Sequence, residues 1–492
     1  MPKQTNSPQA VGFPSDVLVD LRPEEGRGLR ERLEHALRAA IQERRLVAGT
    51  QLPASRVLAA ELGISRSVVV EAYAALTADG YLEARQGAGT RVRLDAQQPR
   101  GRARADGRFD RASFFDRPRQ ASPLGAPLIR MIGGLPDPAL FNRSRWLRHY
   151  RAALTEIPDP ELTYPSTLGA EPLRDALAAY LGRVRGVCAA PDRMLISTGY
   201  TQGVTLIARA LHRAGVRRVA IEDPCFGLHR RAIALTGVEP VPVPVDDGGL
   251  DPAALAGLDV GAVMVAPAHS YPTGGTLDAQ RRSDLIEWAV STESLIVEDD
   301  YDAEFRYDRQ PIGALQGLAP DWVIYIGGAS KTVTPALRLG WAAVPAHFVK
   351  ALEREKRYDD MGSPLLEQLA FARFIESGDF ARHLRHVRPI YRRRRDATTA
   401  ALEEFIPAAR WQGAAAGLHL WVELPPGVDE RELAIASYDR GLLVEDAAWH
   451  WARPMDAPPS IVVGYGSLTE ATIRLGISHL AQAMADVTRA AA

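Results

Sequence analysis

Apolar positions first recur at helical spacing at Leu29, Leu33, Leu37, Ala40 and Ile41, which predicts an amphipathic helix that stops before Gly49. From Leu52 to Leu76 the pattern predicts two more helices. A short one is capped by Ser55, Gly63-Ile64 makes a tight turn, and a third is capped by Ser65 with Val69, Ala72, Tyr73 and Leu76 on its core face. Gly80-Tyr-Leu-Glu-Ala-Arg-Gln-Gly-Ala-Gly-Thr-Arg-Val92 reads as two short strands around Gln86-Gly-Ala-Gly89. Periodicity then stops over 93–126, where Arg, Ala, Gln, Asp and Pro dominate, as in a linker. From Leu128 onward short apolar runs alternate with helical periods, the mark of an α/β fold with a mainly parallel sheet. The chain therefore divides into a tail (1–28), a small head with a hairpin (29–92), a linker (93–126) and a large body (127–492).

With 492 residues, 46% hydrophobic and 24% charged, the chain is long enough for a large core and a further domain. No run approaches the roughly 18 apolar residues of a membrane span, and the start Met-Pro-Lys-Gln-Thr-Asn has no apolar signal core, so a cytoplasmic protein without a membrane partner is expected. Cys188 and Cys225 have no metal-type spacing and suggest reduced thiols. The net charge of −1 conceals an asymmetry: Arg44 to Arg108 holds eleven Lys/Arg against six Asp/Glu, which hints at an acidic partner.

The second and third predicted helices form a helix-turn-helix pattern, with Arg66 and Ser67 on the first turn of the second helix of the pair, where a recognition helix meets the major groove. The phrases Leu-Pro-x-Ser-Arg, Gly-x-Ser-Arg and Gly-Tyr-Leu-Glu-x-Arg-x-Gly-x-Gly-Thr occur in order. On these residues 29–92 resemble the α+β winged helix-turn-helix of GntR-type bacterial regulators. The resemblance implies operator DNA as a partner, contacted by Arg56, Ser65, Arg66 and Ser67, with the wing at Gly87, Gly89 and Thr90 on an adjacent groove or backbone. The plainer alternative is that Arg56 and Arg66 only solvate a small bundle. Glu71 either accepts from a cytosine amino group or points to solvent, and the linker arginines either hold DNA electrostatically or only keep the linker dissolved.

In the body, Ile326-Gly-Gly-Ala-Ser-Lys-Thr-Val-Thr-Pro-Ala-Leu-Arg-Leu-Gly-Trp341 follows an expected strand at Asp321–Tyr325. It offers Lys331 as an amine for an aldehyde and Arg338, seven residues on, as a planar fork of donors for a phosphate. That combination suits pyridoxal 5′-phosphate (PLP). Alone the motif is weak, and its upstream order strengthens it. A strand breaks at Gly199 and opens a helix whose free N–H groups at Tyr200 and Thr201 make an anion site. A second ends in Pro-Cys-Phe at Phe226, a third runs into Ser270-Tyr-Pro-Thr-Gly, and a fourth, Leu295-Ile-Val-Glu-Asp-Asp-Tyr301, delivers acids at its end. This set resembles fold-type I aminotransferases. The Glu-Asp-Asp-Tyr-Asp-x-Glu-Phe-Arg-Tyr and Pro-x-His-x-Tyr-Pro-Thr-Gly variants resemble the aminotransferase-like half of MocR/GabR-type regulators.

Carried over residue by residue, the resemblance implies a PLP Schiff base on Lys331, Asp299 on the pyridinium nitrogen, Tyr301 on the ring hydroxyl and Phe226 stacked on the ring. It also implies Tyr200, Thr201, Ser330 and Arg338 on the phosphate, and Tyr164 reaching the phosphate across a homodimer interface. Glu298 and Asp300 are as acidic as Asp299 and remain open as alternatives. Two departures stand out: Gly328 replaces the usual Ser or Thr three residues before the lysine, and Val462 stands where catalytic aminotransferases often carry an Arg for the substrate carboxylate. His229, Arg230 or Arg231 could substitute for that Arg. His383, His386 and Arg392 to Arg395 read as solvated faces, and Trp449-His-Trp451 as a possible pocket mouth. The reading is a regulator that senses PLP or a small amine or amino-acid effector, its paired heads meeting two half-sites. The alternatives are a working aminotransferase with a DNA-binding head, or a dead pocket regulated only by oligomerisation.

Overall fold

The computed structural model describes residues 21, 28–43, 45–85, 89–93, 128–307, 312–454 and 457–491. The chain separates into two compact units, 1–118 and 119–492.

In the first unit, α1 (Leu29–Gln42), α2 (Ser55–Glu61) and α3 (Arg66–Ala78) close on a core in which Leu33, Leu37, Ile41, Leu58, Val69 and Leu76 are fully buried. These are the residues of the helical stripes, so the apolar spacing sets the bundle. Gly63 turns the chain at φ +64°, the left-handed region that a side chain resists. Ala54, not Ser55, holds the N-cap position of α2. Ser65 does cap α3 by position, but its hydroxyl pairs with Ser67 Oγ at 2.9 Å and makes no cap bond. The hairpin forms as β1 (Leu82–Arg85) and β2 (Gly89–Val92), antiparallel with Arg85 opposite Gly89. Its tip, including Gly87, lies outside the described residues, as do nearly all of the tail and of the linker.

The second unit begins with β3 (Ile129–Met131), α4 (Arg143–Glu156), α5 (Glu171–Arg185), β4 (Met194–Ser197), α6 (Tyr200–Arg213), β5 (Arg218–Asp223), α7 (Gly227–Ala234), β6 (Glu239–Asp246), β7 (Gly249–Leu250) and β8 (Ala262–Val265). It continues with α8 (Ala279–Ser291), β9 (Leu295–Asp299), β10 (Val323–Gly328), α9 (Ala329–Thr332), β11 (Gly340–Ala343), α10 (Val349–Asp359) and α11 (Leu365–Glu376). The last elements are α12 (Asp379–Phe405), β12 (Arg410–Gln412), β13 (His419–Glu423), α13 (Glu430–Asp439), β14 (Leu442–Asp446), β15 (Ser460–Gly464) and α14 (Glu470–Ala491).

Eight strands form one sheet in the order β4-β11-β10-β9-β8-β5-β6-β7, parallel from β10 through β6, with β11 antiparallel to both its neighbours. Its central strands are apolar runs buried end to end (Ala262-Val-Met-Val265, Val323-Ile-Tyr-Ile326), as a sheet covered on both faces requires. A smaller sheet, β12-β13-β15-β14-β3, carries α13 and α14. The strand expected at Asp321–Tyr325 begins later, at Val323, and runs on to Gly328, where the indole of Trp341 leaves no room for a side chain at Gly327.

Part of α12 departs from its expectation of a solvated face. His383 is buried, its Nε2 2.9 Å from the Thr332 carbonyl, one residue beyond Lys331. Arg394 and Arg395 are also buried. Arg394 bonds Asp137 at 2.7 Å and the Gly466 carbonyl, and Arg395 bonds the Ala414 carbonyl, so these arginines join the small sheet to the rest of the body.

Candidate functional site

The C-terminal ends of β5, β8 and β9 open on a cleft lined by Glu222, Phe226, His229, Tyr271 and Asp299. Two broader surface clefts lie elsewhere: one beside α8 and Arg306, one between α5 and α12. Neither contains Asp299.

Three consecutive acids arrive at the end of β9, and the structure gives each a different environment. Glu298 accepts from the backbone N–H groups of Leu315 at 2.8 Å and Gln316 at 2.9 Å. Asp300 is locked in a buried pair with Arg185, Oδ2 to Nε at 2.8 Å, and also accepts from Tyr325 Oη at 2.6 Å. Asp299 lines the cleft, and its Oδ1 is buried with no hydrogen-bond partner. Burial pushes its pKa well above the usual carboxylate range. The Lys331 ammonium lies within reach of its charge. His229 Nδ1 lies 3.9 Å away, and burial takes that imidazole down to about 3, so it stays neutral. The Tyr200 hydroxyl sits beside Asp299 but off the geometry of a hydrogen bond.

Lys331 lies in α9, the short turn that follows β10. It is half-buried by surface, yet its ammonium is enclosed enough that desolvation lowers its pKa, against the opposing pull of Asp302, Glu445 and Asp299. Nearby, the Tyr301 hydroxyl is 2.8 Å from His269 Nδ1, a nitrogen shared with Asp302 at 3.0 Å. Burial, and then Asp302, keep the Tyr301 phenol protonated, hence able to donate. Phe226 meets Trp449, His229 and Tyr271 edge-on, at 5.2, 4.9 and 5.5 Å between centroids.

The Arg338 guanidinium lies over Gly199, where a Cβ would come within 2.5 Å of Nη2. Gly199 precedes α6, and the first N–H groups of that helix, including Tyr200 and Thr201, have no helical carbonyl to bond. Arg338 Nη2 donates to the Thr198 carbonyl at 3.2 Å, and Arg338 itself is held at φ +51°. Behind Thr198, the buried Lys356 ammonium bonds Asp360 and, at 2.9 Å, Ser363. Ser330 is half-buried in α9. Tyr164 is exposed, and among the described residues no hydrogen bond or ring contact joins it to this group. In the first unit Arg56, Ser65, Arg66 and Ser67 are all exposed on one end of the bundle, with Gly89 and Thr90 in β2. Glu71 is exposed too, and Arg66 Nε is 3.4 Å from Ser55 Oγ.

Three residues near Lys331 stand in none of the sequence motifs: Gly133, Gly134 and Glu445. Gly133 and Gly134 pass between Lys331 and the small sheet: a Cβ at Gly134 would be 2.9 Å from Lys331 Nζ, and one at Gly133 would be 2.7 Å from Val462 Cγ1 and 2.8 Å from Tyr271 Oη. Glu445, next to last in β14, lies directly opposite Val462 on β15. Its signal was present in Leu442-Leu-Val-Glu-Asp446, a buried strand delivering acids, as at Glu298 to Asp300.

Residues 145–478 match the family described as "Aminotransferase class I and II", and residues 29–92 match "Bacterial regulatory proteins, gntR family". The body is similar to the crystal structure of Pyrococcus horikoshii kynurenine aminotransferase in complex with PMP, with a TM-score of 0.68, 27% identity and coverage of 73% of this chain and 91% of that one. The full chain is similar to the HTH-type pyridoxine biosynthesis transcriptional regulator PdxR of Corynebacterium glutamicum, 30% identical over 96% of this chain and 99% of the relative. It is also similar to the HTH-type transcriptional regulator TauR of Rhodobacter capsulatus, 32% identical over 92% of this chain and 96% of the relative. A GntR-type head and an aminotransferase fold in one chain, matched along nearly its whole length by such regulators, mean that the protein belongs to the MocR-type subfamily of the GntR family.

Proposed function

We propose that this protein is a DNA-binding transcription regulator whose aminotransferase-like body binds PLP and reads a small amine, an amino acid or PLP itself. The observation that carries it is one chain holding both a GntR-type head and a cleft lined by the orphaned Asp299 carboxylate, with Lys331 within reach of that charge and Arg338 over Gly199, while Val462 stands in place of a carboxylate-binding arginine. The residues fit the cofactor. A protonated ring nitrogen would give the Asp299 Oδ1 its missing donor, Tyr301 would donate to the ring oxygen, Phe226 would cover the ring, and Arg338 with the start of α6 and Ser330 would hold the phosphate. Bound there, PLP supplies an aldehyde that captures primary amines. The lowered pKa of Lys331 keeps more of its amine in the neutral, reactive form. Two copies sharing the cleft through Tyr164 would present two heads to two operator half-sites, with Arg56, Ser65, Arg66 and Ser67 toward the major groove and Gly87, Gly89 and Thr90 as the wing.

A second reading, a working aminotransferase with a DNA-binding head, is favoured by the complete set of Lys331, Asp299, Tyr301 and Arg338. Against it stands Val462, which cannot hold a substrate carboxylate in the two-pronged grip that transfer chemistry needs. The test is the visible absorption of the full-length protein before and after borohydride, with peptide mapping of the trapped cofactor. A yellow protein labelled at Lys331 is expected, and Lys331→Ala should bind operator DNA without responding to ligand. Steady turnover of an amino acid with a keto acid would establish the enzyme instead. A protein that stays colourless with added PLP would reduce the body to a scaffold.

A further inference from the structure

The cleft between α5 and α12 has a volume of about 580 Å³, enough for a small organic molecule. Four arginines line it. Arg183 and Arg185 come from the last turn of α5, and Arg385 and Arg388 stand one turn apart on α12. Apolar surface accompanies them, with Tyr180 and Leu384 in the lining, both largely buried. The four arginines are engaged to different degrees. Arg185 is committed to Asp300, Nε to Oδ2 at 2.8 Å, and to the Ile312 carbonyl. Arg388 donates to the Glu304 carbonyl through Nε at 2.9 Å and Nη2 at 2.6 Å. Arg183 and Arg385 are exposed, and neither has a hydrogen bond or ion pair among the described residues.

An acid, Glu304, also lines the cleft, and burial, then the charge of Asp300, raise its pKa, so it opposes the arginines with less than the force of an ordinary carboxylate. Exposed guanidiniums taken singly are solvated and contribute little. Here Arg183, Arg385 and Arg388 border one concave space, where low-dielectric walls strengthen the field of charges of one sign and favour an anion among them. The shape of the donors selects among anions. A guanidinium presents paired N–H groups that match two oxygens at a time, and a phosphate monoester offers three oxygens, enough for more than one such fork, whereas a carboxylate is filled by one. Tyr180 and Leu384 offer apolar surface to the organic group that carries the phosphate.

We propose that this cleft is a second ligand site, for an organic phosphate whose phosphate is held by Arg183, Arg385 and Arg388 and whose body lies against Tyr180 and Leu384. The site goes beyond the reading of the Lys331 cleft and does not depend on it. The two clefts are neighbours through Arg185, whose partner Asp300 follows Asp299 in the chain.

The experiment is titration calorimetry, at two temperatures, of the full-length protein saturated with PLP, using phenyl phosphate, inorganic phosphate and phenylacetate. Phenyl phosphate should bind tightest, and Arg183→Ala and Arg385→Ala should each weaken it about tenfold. Arg385→Lys, which keeps the charge but not the fork, should lose less than Arg385→Ala. These substitutions remove exposed groups without partners among the described residues, so the melting temperature should match that of the wild-type protein. Phenyl phosphate binding that both alanine variants leave unaltered would overturn the proposal, because the ligand would then lie elsewhere, as at Arg338. Phenylacetate binding as tightly as phenyl phosphate would overturn the phosphate class, and inorganic phosphate binding as tightly would overturn the role given to Tyr180 and Leu384. Absence of heat at both temperatures with all three would overturn the site itself. Because the variants report location, the outcome stands whether or not PLP occupies the Lys331 cleft, which the borohydride test decides separately.

Discussion

Glu222 shows how burial at the cleft alters the chemistry of a single residue. It lies under the cleft with Oε2 accepting from the Ala266 N–H at 3.1 Å and Oε1 without a partner, and burial raises its pKa to about 7. Between its ordinary value of 4.5 and about 7 the folded protein therefore holds more protons than the unfolded chain. The stability this group contributes is fully present below 4.5 and is lost as pH rises through about 7. Glu222→Gln keeps the acceptor for Ala266 and removes the charge. In cofactor-free protein it should raise stability by on the order of 2–3 kcal/mol at pH 8.5 and by almost nothing at pH 4, read from urea midpoints. An equal gain at both pH values would mean that burial does not raise the pKa of this side chain. At this scale the sequence offers Lys331 and Arg338 as a local pair, seven residues apart, whose roles the borohydride test decides. It was not legible among Glu298, Asp299 and Asp300, because three adjacent acids look alike until the alternation of β9 and their distant partners Arg185 and Leu315 separate them.

Among the elements, the head was read nearly completely because its contacts are short-range and its helical stripes are its core. The long helix α12 was partly misread for the opposite reason. Its arginines look like a solvated run until Asp137, Gly466 and Ala414 approach from three separate stretches of chain. The packing beside Lys331 was missed in the same way, since Gly133 follows β3 and Glu445 lies in β14, two strands far apart in sequence. For α3 the exposed first turn carries the prediction. Arg66→Ala removes no core contact and should weaken operator binding by about 1–3 kcal/mol, seen by fluorescence anisotropy, with the cofactor band unchanged. Loss of both together would mark Arg66 as a folding residue.

The whole molecule contains separate cores, and the cluster around Leu33, Leu58 and Leu76 includes no residue of the body. Leu58 is fully buried there, so Leu58→Ala should cost the head about 2–5 kcal/mol. The expected result in calorimetry is an early transition that takes DNA binding with it while the cofactor absorption persists to the original melting temperature. A single transition shifted as a block would show that the two units unfold together.

The position of β3 has a mechanical consequence. The body's first described strand, Ile129–Met131, is hydrogen-bonded alongside β14 in the small sheet, and two residues later the chain reaches Gly133 against Val462 and then Gly134 against Lys331. The first described stretch of the body is thus built into the small sheet. A displacement of the small sheet relative to Lys331 would carry Ile129–Met131 with it, so the two ends of that short strand report on the same sheet.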